Sequence, residues 1–169
     1  MKSALLLLTL ALSSCGYKVA GKADLLPRDL QTIAIPAFSN VTTNYKLTDR
    51  LPAAISREFL SRTRYQVIGD ANQADAVLRG SVVSIFAYPM NFDPVTGRAA
   101  AIQTHCMLQI TLTDRRSGKV LFNQPSLEFR QRYEISTTAE AYFDESTAAF
   151  QRLSQDVARS VVSSVLELF

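Results

Sequence analysis

From Phe150 to the end of the chain, apolar side chains recur at helical spacing. Phe150, Leu153, Val157, Val161, Val165 and Leu168 step by three, four, four, four and three positions. Residues at this spacing fall on one face of a helix. Gln151, Arg152, Gln155, Arg159 and Ser163 lie off the stripe, and Asp144 is placed to cap its start. A stripe this long needs an apolar surface of matching length to cover it. That requirement excludes an isolated helix and asks the rest of the chain for a sheet or a second helix.

The chain offers both. Leu47, Leu51, Ala54, Ile55 and Phe59 form a second helical stripe, with Thr48 or Asp49 as its cap and Pro52 tolerable in the first turn. Arg50, Arg57 and Arg64 line its flank. Gln31 to Phe38 reads as a first strand, in which Pro36 marks a strand end or an edge, and Tyr65 to Ile68 as a short one. Ala76 to Tyr88 is apolar on both parities, with Val77, Val83 and Ile85 on one and Leu78, Val82 and Phe86 on the other. Such a strand belongs in the centre of a sheet. Pro89 to Gly97 then reads as a hairpin loop carrying Met90, Phe92 and Val95. Ile102, Cys106, Leu108, Ile110 and Leu112 alternate with Gln103, His105, Gln109, Thr111 and Thr113. Val120 to Ile135 sets Leu127, Phe129, Tyr133 and Ile135 against Glu128, Arg130, Arg132 and Glu134. The expected fold is α+β: a mixed or antiparallel sheet of four main strands with both helices on one face. The other face would be left open and polar.

The N-terminus reads as an address. Lys2 precedes a nine-residue apolar run, Ala4 to Leu12, where a spanning helix takes about 20. Residues 1–14 are therefore expected to be a signal peptide. Leu12-Ser13-Ser14-Cys15-Gly16 resembles a bacterial lipobox, which implies lipidation of Cys15. Gly16 in the next position favours the outer membrane over the inner one. Residues 15–30 then form a tether and 31–169 a single α+β domain. With Cys15 acylated, Cys106 is the one remaining thiol, so no intramolecular disulfide is expected.

The chain lacks the groups most chemistry needs. Lys and Arg number 18 against 15 Asp and Glu, for a net charge of +3, which is too small to indicate nucleic-acid binding. One His and two Cys leave little room for a metal site. The phosphate-loop, dinucleotide, zinc-protease and nucleophile-elbow motifs are missing. His105 reads as a base or ligand, or as a solvated sheet residue with no acidic partner nearby in sequence. Cys106 lies on the apolar parity. Asp75, Asp93, Asp114, Asp144 and Glu145 fall where turns or caps use carboxylates. No enzyme, cofactor or metal is expected. Two readings stand for Arg115, Arg116 and Lys119: soluble decoration of a turn made by Asp114 and Gly118, or a contact for anions such as lipid phosphates.

Several segments in order carry a family resemblance. They are Cys15-Gly16-Tyr17 with Gly21, TIAIPAFSN (32–40), YKLTDRL (45–51), EFLSRTRYQVI (58–68) and ADAVLRGSV (74–82). The chain resembles the lipopolysaccharide-assembly outer-membrane lipoprotein family, LptE-like. It departs from that pattern at Lys18-Val19-Ala20, where His-Leu-Arg is commoner. The resemblance implies a lipid-anchored protein on the periplasmic face of the outer membrane. Such a protein plugs and assists the assembly of a β-barrel translocon delivering lipopolysaccharide to the cell surface. Barrel lumens are polar, so Gln103, His105, Gln109, Thr111, Arg130 and Arg132 become the expected barrel-facing surface. Arg115, Arg116 and Lys119 become the expected lipopolysaccharide contact. The strand–loop–helix pattern also resembles envelope lipoproteins of the curli-secretion and penicillin-binding-protein-activator types, a secretion-channel subunit or cell-wall synthase regulator.

Overall fold

Two turns of the same make organise the centre of the molecule. In Asp93-Pro94-Val95-Thr96-Gly97-Arg98 the Asp93 carboxylate accepts the backbone N–H groups of Val95 and Thr96, and Gly97 has φ +67°. In Asp114-Arg115-Arg116-Ser117-Gly118-Lys119 the Asp114 carboxylate accepts from Arg116 and Ser117, and Gly118 has φ +71°. Each glycine supplies the left-handed residue that closes the hairpin. The computed structural model, which describes residues 30–42, 45–135 and 145–167, hangs its three long strands on these turns. Cys15, the tether to residue 29, Asp144 and Leu168 lie outside the described residues.

The strands are β1 (Thr32–Ala34), β2 (Ser39–Asn40), β3 (Gln66–Ile68), β4 (Ala76–Phe92), β5 (Ala99–Asp114) and β6 (Val120–Glu134). The helices are α1 (Arg50–Arg62) and α2 (Ser146–Glu167). The sheet order is β3-β1-β4-β5-β6, with β2 also on β4. β1 pairs in parallel with β3 and β4, whereas β4, β5 and β6 form an antiparallel meander. The architecture is the expected α+β sheet with two helices on one face, with two differences. The expected first strand is cut to β1, which ends at Ala34 before Pro36, and β2, just beyond its expected end, makes the sheet six-stranded where four main strands were expected. The expected loop at 89–97 shrinks to the 93–98 turn, because β4 and β5 continue pairing through Phe92 and Ala99.

Both helical stripes are buried. Leu51, Ala54, Ile55 and Phe59 from α1 meet Phe150, Leu153, Val157, Val161 and Val165 from α2 over Ile33, Leu78, Val82, Leu108, Ile110 and Leu112. The helices are also tied by polar bonds: Arg62 donates to Ser163 Oγ at 2.7 Å and Arg50 to the Thr147 carbonyl at 3.3 Å. Asp49 occupies the α1 cap position but its side chain makes no cap hydrogen bond. At the other end Thr63 does this work, its hydroxyl donating to the Phe59 carbonyl at 2.6 Å.

Two of the five register shifts in the meander set which side chains reach the core. Val82 pairs with Leu108 and Ser84 with Met107, so β4 holds an extra residue at Val83. Leu127 pairs with Leu108 and Gln124 with Ile110, so β6 holds an extra residue between them. A bulge shifts the alternation by one. On β4 the core side therefore passes from Leu78 and Val82 to Ile85. Phe86, expected in phase with Leu78 and Val82, turns to the open face instead. On β6 the core side passes from Phe122 to Leu127 and Phe129.

Cys106 lies fully in this core, and burial pushes its thiol up to about 12. The thiolate is the reactive form. The native protein should therefore resist alkylation and become labelled only on unfolding, which a timed maleimide reaction would check. Cys106→Ala should cost about 1 kcal/mol in a denaturant titration.

Candidate functional site

The face away from the helices collects the candidate surface residues. Register places His105 opposite Arg130, Gln103 opposite Arg132 and Thr111 opposite Asn123. Thr111 donates to Asn123 Oδ1 at 3.1 Å. Gln109 is exposed beside the β6 bulge. The expected row therefore exists, but it is not purely polar. The Val83 bulge adds Phe86 opposite His105 and Tyr88 opposite Gln103.

These residues form a connected cluster. Phe86 stacks on His105 with ring centres 4.9 Å apart and planes 18° apart, and Tyr88 sits 5.4 Å from the same imidazole. A carboxylate only accepts hydrogen bonds, so His105 Nδ1–H donates to Glu128 Oε1 at 3.0 Å. In the neutral ring Nε2 is then the acceptor for the Tyr88 hydroxyl at 3.1 Å. Arg130 reaches the same Oε1 through Nε and Nη2, each at 2.9 Å. Arg130 foremost, with His105 adding, holds the Glu128 carboxyl below its ordinary value. His105 thus has the acidic partner that its sequence neighbourhood lacks. Glu128 is 23 residues away and becomes a neighbour only through strand register.

The basic turn is partly committed elsewhere. Arg115 donates through Nε to the Ala74 carbonyl at 2.6 Å, and Arg116 pairs with Asp75 at 2.9 Å. Lys119 makes no ion pair among the described residues. The turn thus clamps the start of β4, as the Asp114 and Gly118 geometry alone would allow. Beyond Ile85, β4 runs exposed from Phe86 to Phe92, and Val95 at the turn is 90 % exposed. Met90, Phe92 and Val95 therefore stand in solvent and do not fold back on the core. Among the described residues no three His, Cys, Asp or Glu converge as a metal site.

A sequence profile for lipopolysaccharide assembly, LptE, matches residues 30–165. The chain belongs to the LptE family. Membership places this chain with lipopolysaccharide assembly. No curated protein sequence matches it. Among solved structures, this LptE-family chain resembles rare lipoprotein B of Shewanella oneidensis at 17 % identity, covering 81 % of this chain and 95 % of that one, with TM-score 0.54. It resembles lipoprotein B of Nitrosomonas europaea at 15 % identity, covering 90 % and 96 %, with TM-score 0.57. A dodecamer of a PelC variant from Paraburkholderia phytofirmans matches at 13 % identity, covering 83 % and 92 %, with TM-score 0.53. At such identities the likeness concerns the fold.

Proposed function

We propose that this LptE-family chain is anchored through acylated Cys15 to the periplasmic side of the outer membrane. There it seats its open sheet face in the lumen of the β-barrel translocon that exports lipopolysaccharide, assisting the barrel's assembly without chemistry of its own. The observation that carries the reading is the family match over nearly the whole domain. The uncovered row of Gln103, His105, Gln109, Thr111, Arg130 and Arg132 gives it a surface. A polar face loses little solvation on entering a wet, polar lumen, and arginines can pair with lumen carboxylates. Arg130 and Arg132 are more than half exposed, so neither is sequestered by the fold. The 114–119 turn remains the proposed anion contact for lipopolysaccharide, with Lys119 in no ion pair among the described residues.

Two results are expected. Mass spectrometry of the membrane fraction should find Cys15 as a triacylated N-terminus, since stable anchoring takes more than one chain. A mature chain beginning elsewhere would remove the anchor. Arg130→Glu with Arg132→Glu should reduce co-purification of the barrel about tenfold, while the thermal melt stays within a few degrees. Undiminished barrel recovery would rule out this face as the contact. Photo-crosslinking from position 132 in intact cells identifies the partner: a large barrel protein supports the proposal, and copies of this chain or a cell-wall synthase oppose it.

A further inference from the structure

We propose that Phe86, Tyr88, His105, Glu128 and Arg130 form a binding site for the sugar rings of an uncharged saccharide. The site belongs to the isolated domain and needs no barrel, so it extends the reading above without resting on it.

A pyranose presents a C–H face that packs on aromatic rings and a rim of hydroxyls that both donate and accept hydrogen bonds. The cluster offers both halves of that match. Phe86 and Tyr88 are 54 % and 39 % exposed while each packs against the His105 ring. Exposed rings already in contact with a neighbour have less conformational freedom to lose on binding. The polar half is equally prepared. His105 and both Arg130 contacts converge on Oε1 of Glu128, so none of them uses Oε2, and this side chain is 44 % exposed. Neither Arg130 contact to Glu128 uses Nη1, and the Arg130 side chain is 62 % exposed. An ionised carboxylate oxygen and a guanidinium N–H on one exposed surface suit the hydroxyls of a sugar, some donating and some accepting.

Charge decides against the anionic alternatives. Arg130 pairs with Glu128 and Arg132 lies 3.8 Å from Glu134, so the cluster carries no excess positive charge to draw a free phosphate. The saccharide's source is open to two answers with the same chemistry: the core sugars of a glycolipid, or a free glycan.

His105 is the chain's single histidine, so its ring resonances in a ¹H–¹³C spectrum report on this site alone. The mature lipoprotein in a zwitterionic detergent, which carries no sugar headgroup, would be titrated with a core oligosaccharide free of phosphate and of acidic sugars, with maltoheptaose and with inorganic phosphate. The expected result is saturable His105 shifts with the core oligosaccharide, alone or together with maltoheptaose. The first pattern indicates a glycolipid source and the second general glycan recognition. Phe86→Ala should weaken binding about tenfold. Continued protection of Cys106 from alkylation would show that this variant is folded. Tyr88→Phe, which keeps the ring, should bind within about threefold of the parent. Shifts with phosphate but with neither saccharide, no shift at millimolar saccharide, or binding indifferent to Phe86→Ala would each overturn the proposal. Failure of barrel co-purification would leave it untouched.

Discussion

Gly80→Ala is expected to cost about 3 kcal/mol, an overpacking penalty at the upper end of the ordinary range. A Cβ at position 80 would fall on the Phe38 ring, meeting three of its carbon atoms. Phe38 is 2 % exposed and belongs to the main core. Its backbone is fixed as well, since Phe38 N–H donates to the Thr48 carbonyl and β2 follows immediately on β4. The ring therefore cannot swing away cheaply. Phe38→Ala alone should cost about 4 kcal/mol through the cavity it leaves. The double variant should be less destabilised than the sum, because the first change removes what the second collides with. Denaturant titration of all four chains would measure that coupling, and strict additivity would contradict the contact.

Asp75→Ala should be nearly as damaging, at about 3 kcal/mol. One carboxylate oxygen, Oδ2, accepts the Gln31 N–H at 3.0 Å, the Thr32 N–H at 3.0 Å and the Thr32 hydroxyl at 2.9 Å. The other accepts from Arg116 at 2.9 Å. The Asp75 N–H in turn donates to Thr32 Oγ1 at 2.9 Å. A single side chain thus fastens the entry of β1, the start of β4 and the β5–β6 turn. The Gln31 N–H above all, with Thr32 and Arg116 assisting, holds this carboxyl below its ordinary value against the opposing effect of burial. Since the folded pKa lies below the unfolded one, the stabilisation is complete above about pH 4 and is lost as the pH falls through the folded value. The alanine variant should therefore differ most from the parent near neutrality and least in strong acid. A stability gap that widened on acidification would refute this account.

Much of this architecture is legible in residue spacing. Leu47 to Phe59 and Phe150 to Val165 are buried along the stripes their periodicity describes, and Leu108, Ile110 and Leu112 face inward as their alternation requires. The Asp-x-x-Ser/Thr-Gly-Arg/Lys pattern at 93–98 and 114–119 is equally visible, and its repetition is the signal that the expected 89–97 loop contains a tight turn. The bulges leave no such signal. Each is one added residue with no compositional mark, yet each reverses the meaning of every parity beyond it. That is why Phe86 arrives beside His105 and not in the core. The Glu128 partner is hidden for a related reason, since pairing depends on the β5–β6 register and not on either strand's own sequence. Alternation alone describes the open face as a row of polar groups, while its aromatic character comes from the shift.

The exposed end of the meander has a mechanical consequence. From Phe86 to Phe92 β4 continues with every residue exposed, a projection of about 20 Å at the usual rise per residue. Among the described strands this stretch of β4 pairs with β5 alone. Adding one matched pair of residues to each of β4 and β5 would extend its reach by about 7 Å without altering a buried contact. A chain of this design can be fitted to cavities of different depth by editing a hairpin alone.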